Sequence, residues 1–456
     1  MTLQVDLDLI KKYDKQGPRY TSYPTVPHFS ESVGINEWEE QIRLNNQVNN
    51  RDLSLYFHLP FCDTLCWFCG CTVVITRRQD RIEEYLDYLF TEIDLIKERL
   101  HPNRKVVQLH FGGGTPTYLS PDQILGLGEK IHRSFTFAPD SELGCEMDPR
   151  EITRDHINAL REMGFNRASM GVQDFKPAVQ KAVNRIHSKE MVKEVVDWIR
   201  EAGFQSLNLD LIYGLPLQTP NSFEKTLQDI LELDPDRLAI FNYAHVPWMK
   251  PHQKLIKESE LPSPEEKLDI LKIVIETLTS SGYVYIGMDH FAKENDELAI
   301  AQQEKSLQRN FQGYSTKSGV DIYAMGMSSI SQLDFIYAQN YKDLTTYYNR
   351  IKKGVLPIEK GFIMSEDDIT RRNVIMQLMC DMELDYNVIS SQMGIDFRSY
   401  FKSDLTKLDE FETDGLLVRS QDKITITEEG RLFIRNIAMT FDAYLDKSQT
   451  QYSKTV

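Results

Sequence analysis

The chain has 456 residues, 41% hydrophobic and 26% charged, with 52 Lys and Arg against 68 Asp and Glu for a net charge of −16. That length predicts two or three domains with a large core, and no apolar run reaches the roughly 18 residues that a transmembrane helix needs. An acidic chain with no basic block longer than Arg77-Arg78 or Arg371-Arg372 is a poor partner for nucleic acid, and MTLQVDLDLIKKYDKQ lacks the features of a secretory leader, so a cytoplasmic protein that engages neither nucleic acid nor membrane is expected.

Residues 1–50 hold the turn-rich GPRYTSYPT (Gly17–Thr25) and read as an irregular N-terminal arm. A rhythm then begins. Residues 53–59 (LSLYFHL) are rich in strand formers, and 83–100 carry apolar residues at helical spacing. Further strands are predicted over 106–111, 143–147, 167–172, 206–212 and 237–243. Helices are predicted between them, over 121–134, 154–163, 191–202 and 222–232. Alternation over this length implies right-handed βαβ units and a parallel sheet. Six strands suit an open sheet or an incomplete barrel. A helix at 267–278 ends the rhythm, and the Gly-, Ser- and Gln-rich stretch from Gly287 to about Asn340 is weakly periodic. From Asp367 three helices, two short strands (416–419 and 423–426) and a last helix from Glu428 suggest a mostly helical, winged-helix-like C-terminal domain. The organisation expected is an arm at 1–50, an α/β domain at 51–285, a connecting segment at 286–365 that completes the site, and the C-terminal domain at 366–456.

Four of the six cysteines lie within ten residues, in HLPFCDTLCWFCGC (His58–Cys71). Such clustering points to metal rather than disulfides. Three thiolates at C-x3-C-x2-C spacing, Cys62, Cys66 and Cys69, suit three corners of a [4Fe–4S] cubane. The loop follows a strand, where parallel α/β sheets open their ligand sites. A structural zinc with Cys71 or a distant His as fourth ligand stays open at this point.

Other strand ends carry chemistry. Gly112-Gly113-Gly114-Thr115 allows close backbone approach to a ligand. Glu146 in CEMDP offers a carboxylate to a ribose or an ammonium. Gln173 ends MGVQ, and Asp210 interrupts the apolar NLDLIYGLP, a costly position without a partner. Arg185, in VNRIHS, is able to grip a carboxylate with both nitrogens.

The cysteine motif resembles that of the radical S-adenosylmethionine (SAM) family. The wider set of GPRYTSYPT, HFGGGTPTYL, EMDPREI, GFNRASMGVQDF, LDLIYGLPLQT, FNYAHVP, GMDHFA, RNFQGYST and RLFIRNIAMTFDAYL is similar to the oxygen-independent coproporphyrinogen III oxidase branch, from Gly17 to about Leu445. The resemblance implies an incomplete (β/α)6 barrel. It implies one [4Fe–4S] cluster on Cys62, Cys66 and Cys69, with Cys71 not a ligand, and two SAM molecules. Tyr56, Gly113, Glu146 and Ile330 correspond to the first SAM site, on the open iron. Phe68, Gly114, Thr115, Gln173, Arg185, Asp210 and Ala244 correspond to the second. Tyr56 and His58 share one strand face and are candidate catalytic residues, a core histidine being the plain alternative for His58.

The implied reaction converts two propionates of coproporphyrinogen III to vinyls in haem biosynthesis. It implies a reducing donor such as flavodoxin or ferredoxin, an electron acceptor not named by the sequence, and a monomer. The substrate is a tetra-anion, so several Arg or Lys residues should face it, Arg19 and Lys250 being candidates. The arm and the C-terminal domain are expected to cover the barrel mouth. Two rival readings are a haem-binding, chaperone-like paralogue and a cluster-bearing redox regulator. Cys71 and the GPRYTSYPT arm favour the enzyme over the first, and the lack of a basic recognition helix argues against the second.

Overall fold

A computed structural model describes residues 5–48 and 51–445. The chain divides into two compact units: residues 29–267 with 319–363, and residues 1–28, 268–318 and 364–456.

In the first unit, strand and helix alternate as the sequence predicts: β1 (Leu53–Leu59), α1 (Gln79–Arg99), β2 (Lys105–Gly113), α2 (Pro121–Ser134), β3 (Thr136–Met147), α3 (Arg154–Glu162), β4 (Arg167–Gln173), α4 (Lys189–Glu201), β5 (Ser206–Tyr213), α5 (Pro220–Leu231) and β6 (Arg237–Asn242). The six strands lie side by side in chain order and all are parallel. Helix starts follow capping chemistry: Ser120 accepts from the Gln123 N–H with Pro121 at the first helical position, and Thr219 does the same for Ser222 ahead of α5.

The other side of β1 holds what periodicity did not reveal. A seventh parallel strand, β7 (Asp321–Met325), pairs with β1 and is followed by the antiparallel β8 (Ile330–Gln332), β9 (Ile336–Asn340) and β10 (Ile358–Ile363). Every residue of β7 and β9 is buried, so neither strand shows the apolar–polar alternation of a half-exposed one. The arm is also less irregular than expected. Ile35–Val48 is helical, with Trp38, Ile42 and Asn45 buried at helical spacing. Asn45 breaks the apolar stripe, and its amide donates to Asp321 (3.1 Å).

Period two gives the sheet a sharp division of labour. Leu53, Leu55, Phe57 and Leu59 of β1 are all buried, on the face opposite Ser54, Tyr56 and His58. On β2 the alternate face carries Gln108, His110 and Gly112, on β3 Glu142, Gly144 and Glu146, and on β5 Asn208 and Asp210. Cross-strand registers put these in rows: Tyr56 beside His110 beside Gly144, and Glu146 beside Ser169 beside Asn208. One face is therefore apolar and packed; the other is polar.

In the second unit, Glu366–Asp381 is the longest C-terminal helix, capped by Ser365 with Asp368. Strands Glu383–Asp385, Lys423–Ile426 and Leu417–Arg419 form a three-stranded sheet, with the shorter helices between the first and third. The GPRYTSYPT arm belongs here. Arg435 donates to the Gly17 and Pro18 carbonyls, Tyr20 donates to Asp442 (2.8 Å), and Arg19 pairs with Asp289. Arg19 thus already has a carboxylate partner. No helix among the described residues is long and apolar enough to cross a membrane.

Candidate active site

The cysteine loop leaves the C-terminal end of β1 and is held by its backbone. Its carbonyls accept from three side chains of the segment after β6: Phe68 from Gln253 (3.1 Å), Cys69 from His252 (2.8 Å) and Cys71 from Lys250 (3.1 Å). On the opposite side the Trp67 N–H donates to Val183 (3.0 Å), and Asn184 donates to the Leu65 carbonyl (2.9 Å). Trp67 and Phe68 pack against Val179, Val183, Leu215, Tyr243 and Ile256. The loop is therefore anchored at both ends.

The glycine run packs directly on it. Gly114 N–H donates to Leu59 and Thr115 N–H to Phe61, both at 2.9 Å. A Cβ on Gly114 would lie 2.5 Å from the carbonyl carbon and oxygen of Pro60, and one on Gly113, at φ +113°, would lie 2.6 Å from the His58 ring. Both contacts are far inside van der Waals distance. Gly114→Ala should cost about 1–3 kcal/mol, the usual scale of overpacking, because its obstacle is backbone that cannot rotate away; chemical denaturation of the apo-protein measures this.

Cys62 Sγ lies 3.3 Å from the Thr115 hydroxyl. Cys66 Sγ receives two guanidiniums, Arg150 Nη2 and Arg185 Nη1, each at 3.6 Å. Asp148 binds both arginines, at 2.7 and 2.8 Å. Burial alone would raise the Asp148 pKa, but Arg185 and Arg150 outweigh it and hold it down at about 2. All six cysteines are free. Among the described residues no three His, Cys, Asp or Glu side chains converge on a single point, as a lone zinc ion would require. Three corners of a cubane need no such convergence, because each thiolate binds its own iron. The donor set fits a cluster: three free thiols in one loop, with cationic hydrogen-bond donors aimed at a sulfur.

Beside the loop, Glu146 accepts from the Gly113 N–H (3.1 Å) and from His110 (3.4 Å), with 44% of its side chain still accessible. Burial opposes its charge, but the His110 hydrogen bond and charge and the Gly113 N–H prevail, and its pKa falls below the ordinary value. It is a carboxylate, suited to an ammonium or to hydroxyls. His58 Nε2 lies 2.9 Å from the Thr72 carbonyl and so carries the proton, leaving Nδ1 to accept from the Tyr56 hydroxyl (3.3 Å). Burial lowers the His58 pKa despite that carbonyl, so the ring is neutral and orients Tyr56.

Further along the polar face, Asp210 accepts from Asn208 (2.7 Å) and Ser169 (3.3 Å). Burial raises its pKa to about 7 against those two hydrogen bonds. Gln173 sits at a register irregularity of β4 with φ +68°, and its Oε1 is buried without a partner. An orphaned acceptor on strained backbone suggests a ligand contact. Arg185 donates to Asp148 and to the Gly171 carbonyl, so it is fixed before any ligand arrives. Ala244 is exposed just beyond β6, and Ile330 opens β8.

The structure thus gathers Tyr56, His58, Gly113, Glu146 and the cysteines on one side of the site and Gln173 and Asp210 on the other, with Arg185 reaching from Gly171 to Cys66. It adds Asp148, Arg150, His110 and His252, which sequence reasoning missed. Asp148 was legible: it lies two residues beyond Glu146 at the same strand end. Arg150 and Arg185 meet at Cys66 only through the fold.

Comparison with known proteins places the whole chain among relatives of one family. The family model described as the Radical SAM superfamily matches residues 56–230, and that described as the HemN C-terminal domain matches 364–433. The oxygen-independent coproporphyrinogen III oxidase of Escherichia coli K12 is 48% identical over 99% of this chain and 98% of its own length. That of Helicobacter pylori J99 is 46% identical over 99% of both. The solved structure of E. coli coproporphyrinogen III oxidase, described as a radical SAM enzyme, superimposes with a TM-score of 0.93, at 47% identity over 98% of this chain and 100% of that one.

Proposed function

The chain belongs to the oxygen-independent coproporphyrinogen III oxidase family of radical SAM enzymes, and on that premise we propose that it decarboxylates two propionates of coproporphyrinogen III to vinyls, giving protoporphyrinogen IX. The observation that carries this reading is a cysteine loop at the end of β1 beside a polar sheet face that carries Tyr56, Glu146 and Asp210. Cys62, Cys66 and Cys69 hold the [4Fe–4S] cluster, with Cys71 outside the ligand set. When bound, cluster and SAM would supply a 5′-deoxyadenosyl radical able to take a hydrogen atom from the propionate β-carbon, after which loss of CO2 and of one electron to an acceptor would give the vinyl. A single-electron donor such as flavodoxin or ferredoxin feeds the cluster.

This chain's own residues bind and orient. Glu146 and the Gly113 backbone receive the ammonium end of the first SAM, and Tyr56, turned by neutral His58, borders it with Ile330. Gln173, Arg185 and Asp210 hold a second SAM with Phe68, Gly114, Thr115 and Ala244. The Gln173 Oε1, buried without a partner, supports a ligand there. A radical step needs no base, which leaves His58 the role of orienting Tyr56.

The direct test is an anaerobic assay with SAM, a reductant and coproporphyrinogen III, scored by product mass. Two losses of CO2 and of two hydrogens each are expected. A methylated product, or none from a protein that cleaves SAM, would overturn the reading. The two-SAM arrangement has its own test. Asp210→Ala should leave reductive SAM cleavage at the cluster intact while product formation falls at least a hundredfold; normal turnover would remove the second site.

A further inference from the structure

Three lysines from separate segments lie near one another, and one of them touches the cysteine loop. Lys250 reaches it directly, donating to the Cys71 carbonyl. Lys360 lies on β10, and its inward orientation follows from register. Tyr56 pairs with Ala324 on β7, Ile322 pairs with Gln332 on β8, and Ile330 pairs with Gln339, which pairs with Lys360. Directly paired residues, and those two apart, share a face. Lys360 therefore projects from the same side of the sheet as Tyr56, His58 and Ile330. Lys342 follows β9.

Lys250 and Lys360 lie close enough to Lys342 to repel its ammonium; burial is the larger cause of its lowered pKa, and Glu359 offsets part of the effect. Among the described residues none of the three makes an ion pair, and Lys342 and Lys360 have no hydrogen-bond partner. On a chain of net charge −16, Lys250, Lys342 and Lys360 make a local cationic patch, with Lys342 exposed and Glu359 the acidic side chain near it, and such a patch attracts a polyanion. Next to Lys250 stand Trp248 and Met249, 63% and 66% exposed. Cations flanked by open apolar side chains match a ligand with several carboxylates on an apolar ring.

We propose that Lys250, Lys342 and Lys360 form a carboxylate-binding cluster that anchors propionates of the tetrapyrrole, with Trp248 and Met249 against its macrocycle. This rests on the substrate reading above and deepens it, by naming the groups that hold the anionic rim.

Fluorescence titration with coproporphyrin III, the oxidised and unreactive form of the substrate, tests the cluster without turnover. A porphyrin with only two propionates serves as comparison. The unsubstituted protein should bind the tetracarboxylate more tightly, with an affinity that falls as salt is added. Lys342→Ala and Lys360→Ala should each weaken binding on the order of tenfold, as for a lost charge-assisted contact. The double variant should lose the preference for four carboxylates, and Lys360→Arg should restore it. The apo-variants should melt at or above the original temperature, because a crowding charge has been removed. Unchanged affinity in the double variant overturns the cluster, as does a lowered melting temperature in Lys342→Ala. Failure of the unsubstituted protein to bind coproporphyrin III overturns the substrate reading itself, so the two failures are told apart.

Discussion

Cys66→Ala, reconstituted anaerobically, should hold almost no iron, against about four irons per chain in the original protein, as one cubane requires. Cys66 is buried, and Arg150 and Arg185 both point at its sulfur. Removing the thiolate leaves one iron without a protein ligand and two guanidiniums aimed at a vacancy, balanced only by Asp148. Iron and sulfide analysis, together with the broad visible absorption of the cluster, measures the effect. Cys71→Ala should retain most of its iron. Full iron in the Cys66 variant, or none in the Cys71 variant, would exchange their roles.

The second large effect lies outside the site, at Glu92 of α1. This carboxylate is buried and accepts from Tyr347 (2.6 Å), from the Gly326 N–H (2.8 Å) and from Asn340 (2.8 Å). Tyr85, seven residues earlier on the same helix, donates to the His58 carbonyl (2.6 Å) and accepts from the Met327 N–H (3.1 Å). The network fastens the turn between β7 and β8 to α1 and to β1, and Ile330 follows directly. Glu92→Ala strands three buried donors, each costing about 1–3 kcal/mol, so a loss of ~5 kcal/mol in unfolding free energy is expected.

Glu92 also sets a pH dependence. Burial raises its pKa from 4.5 to about 7, although Tyr347, Gly326 and Asn340 all favour the charged form. Between those two values the folded chain binds more protons at this group than the unfolded chain. Stability from this group is therefore full below about pH 4.5 and is lost as pH rises through about 7. A shift of this size corresponds to ~3 kcal/mol. Glu92→Gln cannot ionise, so the stability difference between variant and original should move in the variant's favour by that order from pH 5 to pH 8, as measured by urea unfolding. A constant difference would remove the titration from Glu92.

Much of this was legible in the chain. The βαβ rhythm from residue 53 to 243 was readable because its strands are apolar runs bounded by capped helices, and the cysteine loop announced itself by spacing. What escaped did so for physical reasons. β7 and β9 are buried on both faces and β8 is three residues long, so none of them carries alternation. The helix Ile35–Val48 buries Asn45 where a hydrophobic residue would have marked it. Residues such as Lys360 gain meaning only through register, since its face is decided by pairing with Gln339 and not by its neighbours in sequence. Arg185 was not readable as a partner of Cys66 and Asp148, because only the fold brings it to them.

The position of β1 has a consequence for synthesis. β1 is hydrogen-bonded on one side to β2, about 50 residues downstream, and on the other to β7, at residues 321–325. During translation the cysteine loop emerges early, but the edge of its strand stays unpaired until some 270 more residues have been made. At roughly 5–20 residues per second that is on the order of a quarter of a minute to a minute in which three thiols stand on an incomplete sheet. Loading of iron is therefore best timed after β7 has joined the sheet, and a pause between residues 260 and 320 should increase oxidation of the nascent thiols in air and lower the iron content of the finished protein.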